Sequence, residues 1–171
     1  MAMARVFLSL GSNLGDRRQY LEAALQELGA HDAVRVVACS QVYETEPWPE
    51  QLLERTRWYL NCAVEIETEL TPRRLLRFLQ EIEAHAGRVR DAAPSGVYAS
   101  RTLDVDILLY GSEVLSDHDL QIPHLLLHER RFVLAPLAEI APEVEHPVLY
   151  RSIRELLEET EDHRGTFPYL A

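Results

Sequence analysis

The run from Trp58 to Thr68 alternates without interruption. Leu60, Cys62, Val64 and Ile66 fall on one parity, and Tyr59, Asn61, Ala63, Glu65 and Glu67 on the other. A period of two marks an extended strand whose successive side chains point to opposite faces. The chain must therefore build a sheet with one apolar face to cover and one mixed face that carries Tyr59 and Asn61.

Other segments supply partners for that strand. Arg5 to Leu10 reads as a strand, followed by the glycine-bearing turn Gly11-Ser12-Asn13-Leu14-Gly15-Asp16 and a helix from Arg17 to Leu28 ended by Gly29. Asn13 or Asp16 is the expected cap. The turn lacks the lysine of a Walker A loop. Val34 to Tyr43 is the next strand, and Glu44 to Arg57, with Pro47 and Pro49, reads as a long loop of the kind that carries function. Thr71-Pro72 caps a helix that buries Leu75, Phe78, Leu79 and Ile82 and leaves Arg73, Arg74, Arg77 and Glu81 outside. A second irregular stretch, Asp91 to Ser100, precedes a strand at Arg101 to Tyr110, and Val114-Leu115 forms a brief further strand.

Strand, helix, strand, strand, helix, strand is the split βαβ order of ferredoxin-like folds. The predicted class is α+β: a βαββαβ core with an antiparallel sheet and both helices on one face. We expect one domain over residues 1–171, with a core over about 4–115 and a C-terminal extension over about 116–171 that closes part of the open face. The last residues, His163 to Tyr169, carry no readable signal beyond partial order.

The run Arg101-Thr102-Leu103-Asp104-Val105-Asp106-Ile107 concentrates the chemistry. Asp104 and Asp106 share a strand face, with Leu103, Val105, Ile107 and Leu109 turned to the core. Taken alone, such a pair is most simply a solvated face. With arginines nearby, two carboxylates on a rigid strand suit Mg²⁺, which keeps waters and takes phosphate oxygens. Arg88, Arg90, Arg101, Arg130 and His124 offer donors to phosphate. Tyr59, Trp48 and Phe132 can sandwich a flat ring, and Asn61 can read its edge. Metal, phosphate clamp and aromatic slot together point to phosphoryl transfer from a nucleotide to a small planar substrate.

Composition narrows the partners. Acidic residues outnumber basic ones, 28 to 17, for a formal charge of -11, which disfavours nucleic acid. No stretch reads as a signal peptide or membrane span, so a cytoplasmic protein is expected; a monomer is the expected state. Cys39 and Cys62 lie in apolar runs and read as core residues rather than a disulfide.

Five motifs together resemble the bacterial 6-hydroxymethyl-7,8-dihydropterin pyrophosphokinase family. They are Gly11-Ser12-Asn13-Leu14-Gly15, Tyr59-Leu60-Asn61, Gly87-Arg88-Val89-Arg90, Arg101-Thr102-Leu103-Asp104-Val105-Asp106-Ile107, and Pro123-His124 with Arg130 and Phe132. The resemblance runs from Val6 to about Pro142. It implies transfer of diphosphate from ATP to the pterin hydroxymethyl oxygen with release of AMP. It further implies two Mg²⁺ ions on Asp104 and Asp106, with Arg88 and Arg101 among the catalytic residues. ATP would be bound by Arg88, Arg90, Arg101, Ile107, His124 and Arg130, with Ile107 touching the adenine. The pterin would be bound by Thr45, Glu46, Trp48, Tyr59, Asn61 and Phe132. Three places depart from the family's pattern: Glu46 where many relatives have proline, Leu125 where some have tyrosine, and the Asp91–Ser100 loop, where Val97 and Tyr98 stand for an arginine-tryptophan pair. The rival reading is a non-catalytic ferredoxin-like module that binds a small molecule or a partner strand; a purely structural subunit is the third.

Overall fold

A computed structural model describes residues 2–47, 58–87 and 102–170. The central strand is β1 (Ala4–Ser12). It leads through Gly15, whose φ of 73° suits glycine, into α1 (Arg17–Ala30). Asp16 caps that helix by accepting the Gln19 N–H at 3.1 Å. Gly29 lies inside the helix, which runs on to Ala30 and closes at His31 rather than ending at the glycine.

The predicted second strand is broken in two: β2 (Val34–Cys39) and β3 (Tyr43–Thr45). Ser40 explains the break. Its N–H donates to the Ala63 carbonyl at 2.9 Å, while its Oγ accepts the Ala63 N–H at 2.9 Å and donates to the Gln41 carbonyl. A side-chain oxygen has taken the place of a ladder carbonyl, and the backbone is free to turn. Both pieces pair with β4 (Tyr59–Thr68), so Thr45, expected in a loop, lies in a strand opposite Tyr59.

Next come α2 (Pro72–His85), capped by Thr71, and β5 (Asp104–Tyr110). Two short strands follow, β6 (Leu115–Ser116) and β7 (Gln121–Ile122), then a 3-10 turn at Leu127–Glu129. The extension supplies α3 (Arg131–Ile140) and α4 (Ile153–Glu159). It ends in β8 (Thr166–Pro168). The last is a correction: the terminal residues form an edge strand of the main sheet. Among the described residues that sheet runs β5-β1-β4-β3-β8, with β2 also on β4, and its pairings are antiparallel. This is the expected ferredoxin-like order with an added edge.

Each face of the sheet has its own core. Val6, Leu8, Leu10, Cys62, Val64 and Ile66 pack with Leu21, Leu28, Leu75 and Leu79 of α1 and α2. Each of the Val, Leu and Ile side chains contributes about 1.5–3 kcal/mol on burial. On the other face Phe7, Ala63, Leu108 and Leu109 pack under Val133, Leu134 and Leu137 of α3 and Ile153 and Leu156 of α4. Leu109 was expected on the helix side. A β-bulge between Phe7 and Leu8 leaves Leu108 without a partner in the register, and beyond it the alternation of β5 is reset. Cys62 is buried as expected, but Cys39 is exposed; both are free thiols. The Cys62 hydrogen bond holds the Cys39 thiol below its ordinary value.

Candidate active site

The α3–α4 layer covers only part of its face, and the side chains of the sheet decide where the cover stops. Along β1 that face reads Phe7, then Ser9, then Gly11: bulk gives way to nothing. Opposite them on β4 stand Glu65, Ala63 and Asn61. On β5, Asp106 faces Ser9 and Asp104 faces Gly11. The result is an open cleft of about 480 Å³ lined by Ser9, Gly11, Thr45, Glu46, Tyr59, Asn61, Asp104, Asp106, Arg130 and Phe132. Eight of the sequence-predicted site residues thus meet in one place.

Each wall is held by identifiable bonds. Asn61 is buried and donates its amide to the Thr45 hydroxyl at 2.6 Å. Gly11 leaves the room for this: a Cβ there would stand 2.5 Å from Asn61 Oδ1. Arg17 donates to the Trp58 carbonyl at 2.7 Å and to the Glu44 carboxylate at 2.9 Å, tying the start of α1 to β3 and to the entry of β4. On the far wall the Arg130 guanidinium carbon lies 5.7 Å from the Phe132 ring centroid, a cation–π contact.

Beneath the acidic pair lies a residue the sequence reading passed over. Glu83 is buried, and its carboxylate accepts the Val105 N–H at 3.3 Å, between Asp104 and Asp106. Its signal was legible: Leu75, Leu79 and Glu83 recur every four residues, which puts an acid on the apolar stripe of α2. A buried carboxylate persists only with donors to satisfy it.

A second cavity, open to solvent, adjoins the first, and Asp106 lines both. Ile107, Leu120, Gln121, His124 and Leu125 are among its other walls. The carbonyl of the bulged Leu108 accepts the His124 N–H at 3.0 Å, which ties His124 to β5 beside this cavity. Burial and the nearby Arg130 charge depress the His124 pKa to about 4, against an opposing pull from Asp104. His124 is therefore neutral at physiological pH. Its Nδ1 accepts the Leu126 N–H at 3.3 Å, so Nε2 carries the proton. Leu125 is largely exposed. Trp48, Arg88, Arg90 and Arg101, like the Asp91–Ser100 loop with Val97 and Tyr98, lie outside the described residues.

Among the described residues no cluster of three or more acids, histidines or cysteines could enclose a metal ion. The two aspartates still fit Mg²⁺, which is commonly held by one or two carboxylates, with water and phosphate completing its shell.

Comparison with known proteins identifies the family. The family model for 7,8-dihydro-6-hydroxymethylpterin-pyrophosphokinase matches residues 7–142. The 2-amino-4-hydroxy-6-hydroxymethyldihydropteridine pyrophosphokinase of Methylorubrum extorquens is 45% identical, covering 83% of this chain and 85% of its own. The Haemophilus influenzae protein of that name is 39% identical over 95% of this chain and 96% of its own. The fold matches a crystal structure of wild-type Plasmodium falciparum HPPK-DHPS with pterin and p-hydroxybenzoate. The TM-score is 0.70 at 15% identity, covering 92% of this chain and 43% of that one. Taken with the two carboxylates and the aromatic cleft on one sheet face, these matches place the chain in the 7,8-dihydro-6-hydroxymethylpterin-pyrophosphokinase family.

Proposed function

We propose that the two adjoining cavities hold the two substrates of a diphosphate transfer, with Asp106 at their junction. The protein is an ATP-using pyrophosphokinase that moves diphosphate from ATP to the hydroxymethyl group of 6-hydroxymethyl-7,8-dihydropterin and releases AMP. In this reaction the hydroxymethyl oxygen bonds to the β-phosphorus, the bond from that phosphorus to the α,β-bridging oxygen breaks, and the hydroxyl proton is lost to solvent. The nucleophile belongs to the substrate, so the protein's task is alignment and charge balance.

The pterin lies between Tyr59 and Phe132, with Asn61 on its polar edge and Thr45, Glu46 and Trp48 around it. The Asn61–Thr45 bond holds that amide in one orientation, so its remaining donor and acceptor select one edge of the ring. ATP occupies the second cavity, with Ile107 beside the base. His124 acts as a neutral donor to phosphate, which keeps it from competing with Arg130 for charge. Arg88, Arg90 and Arg101 complete the phosphate clamp, and Arg88 and Arg101 serve the transferring group. Asp104 and Asp106 would hold two Mg²⁺ ions, whose chemistry is to neutralise charge developing on the phosphate oxygens. A non-catalytic module would need neither an acidic pair nor a second cavity beside the aromatic one.

We read residues 1–171 as one catalytic unit acting as a cytoplasmic monomer that does not bind nucleic acid. Among the described residues no helix is long and apolar enough to cross a membrane. The observation that carries the assignment of sites is the sharing of Asp106 between the two cavities. Its test is competition: an inert pterin and a non-hydrolysable ATP analogue should bind together, and Asp106→Asn should weaken Mg²⁺-dependent nucleotide binding. Mutually exclusive binding would refute the arrangement.

A further inference from the structure

The two walls of the pterin cleft belong to elements far apart in sequence, and one short segment touches both. It lies beyond residue 142, where the family match ends.

At one end Asp162, 7% exposed, accepts the Arg131 N–H at 3.0 Å through Oδ2. Arg131 is the first residue of α3, and the residue ahead of it, Arg130, supplies no side-chain cap. Asp162 thus caps this helix from a distant part of the chain, where a carboxylate also suits the helix dipole. Its Oδ1 accepts from the backbone and guanidinium of Arg164 at 3.1 and 3.2 Å. The capped turn carries Arg130 and Phe132.

At the other end Gly165 forms a reciprocal pair with Glu46. Its carbonyl accepts the Glu46 N–H at 3.0 Å, and its N–H donates to the Glu46 carboxylate at 2.8 Å. From there β8 continues the ladder along β3, with Thr166 opposite Thr45. A Cβ on Gly165 would meet Phe167 Cε2 at 2.7 Å and Glu46 Cδ at 3.4 Å. The Phe167 ring in turn stacks on Trp58, centroids 6.3 Å apart.

Asp162 and Gly165 are three residues apart, a reach of about 10 Å at most. We propose that this segment is a strap that sets the width of the pterin slot, with Asp162 and Gly165 as its positioning residues. One anchor fixes the Arg130–Phe132 wall and the other fixes Thr45 and Glu46. The strap deepens the proposed site and rests on the assignment of this cleft to the pterin. Neither anchor lines the nucleotide cavity, and only the Asp162 anchor reaches a residue assigned to phosphate, Arg130, so Gly165 is the anchor that acts on the pterin alone.

The experiment measures two affinities by calorimetry in the full-length protein: oxidised 6-hydroxymethylpterin, and α,β-methylene-ATP with Mg²⁺. Gly165→Ala should weaken pterin binding about tenfold while nucleotide binding stays within about twofold, and Asp162→Ala should weaken pterin binding about tenfold with a smaller loss for the nucleotide through Arg130. Asp162→Asn keeps an oxygen for the Arg131 N–H and should restore most of the pterin affinity. Should Asp162→Ala fail to fold, Gly165→Ala and Asp162→Asn carry the same comparison. Unchanged pterin affinity in the alanine variants, or equal losses for both ligands with a lowered melting temperature, would overturn the strap. No pterin binding by the unaltered protein would overturn the slot assignment beneath it.

Discussion

Gly11 and Asn61 face each other across the β1–β4 ladder, and the space above the glycine is filled by the asparagine's amide oxygen. A methyl group on Gly11 would stand 2.5 Å from that oxygen, so the amide would have to turn away. Turning it breaks the buried bond to Thr45. Gly11→Ala should therefore raise the pterin dissociation constant at least tenfold and cost about 1–3 kcal/mol of stability. Paired titrations with pterin and denaturant check both. A variant with native pterin affinity would mean that Asn61 is not held for recognition.

Glu83 holds the strand that carries the two aspartates. Glu83→Ala leaves the Val105 N–H without its acceptor and should cost about 1–3 kcal/mol. Glu83→Gln keeps an acceptor and should cost less. Both should lower turnover by weakening the alignment of Asp104 and Asp106, and extra Mg²⁺ should recover part of the loss in the glutamine variant. Turnover insensitive to either change would make Glu83 a matter of stability alone.

Two histidines predict how stability follows pH. Burial and Arg130 depress His124 to about 4, and burial and the neighbouring His128 depress His146. In the unfolded chain both return to about 6.5. Below that value the unfolded state binds more protons, so stability falls as pH drops from about 6.5 toward 4 and is level above it as far as these groups are concerned. His146 Nδ1 accepts from the Val148 and Leu149 N–H groups, a role Asn can share. Urea midpoints measured between about pH 7 and pH 5 should decline, and less steeply in His146→Asn. Parallel slopes in the two proteins would exclude His146 from the effect.

Much of this architecture is legible in one-dimensional pattern. The alternation of Tyr59 to Thr68 places Asn61 and Tyr59 on the cleft face, and the parity of Asp104 and Asp106 places them beside it. What the pattern hides are bonds between distant residues. Ser40 breaks a strand because of Ala63, and Leu108 is bulged because β1 and β5 slip against each other. The terminal strand carries almost no hydrophobic signal of its own: Thr166, Phe167 and Pro168 become a strand because β3 offers an unpaired edge. Asp162 reads as one acid among many until the start of α3 is seen beside it. Glu83 lies between these cases, visible as an acid on an apolar stripe yet with no hint of its partner.

Phe132 separates recognition from packing. It is only partly buried against the α3 core and lines the cleft. Phe132→Ala should weaken pterin binding by about 1–3 kcal/mol and nucleotide binding little, since stacking is its proposed contribution. Isothermal titration with each ligand separates the cases. Equal losses with a lowered melting temperature would make it a core residue.

The central claim is that Asp104 and Asp106 serve a diphosphate transfer. The most direct measurement incubates the protein with ATP, Mg²⁺ and 6-hydroxymethyl-7,8-dihydropterin and follows AMP and ADP by chromatography. The account predicts AMP and pterin diphosphate in equal amounts, no pterin-dependent ADP, and a loss of at least about a thousandfold in Asp106→Ala with the fold intact. Pterin-dependent ADP, or near-normal AMP release by Asp106→Ala at saturating ATP and Mg²⁺, would contradict it.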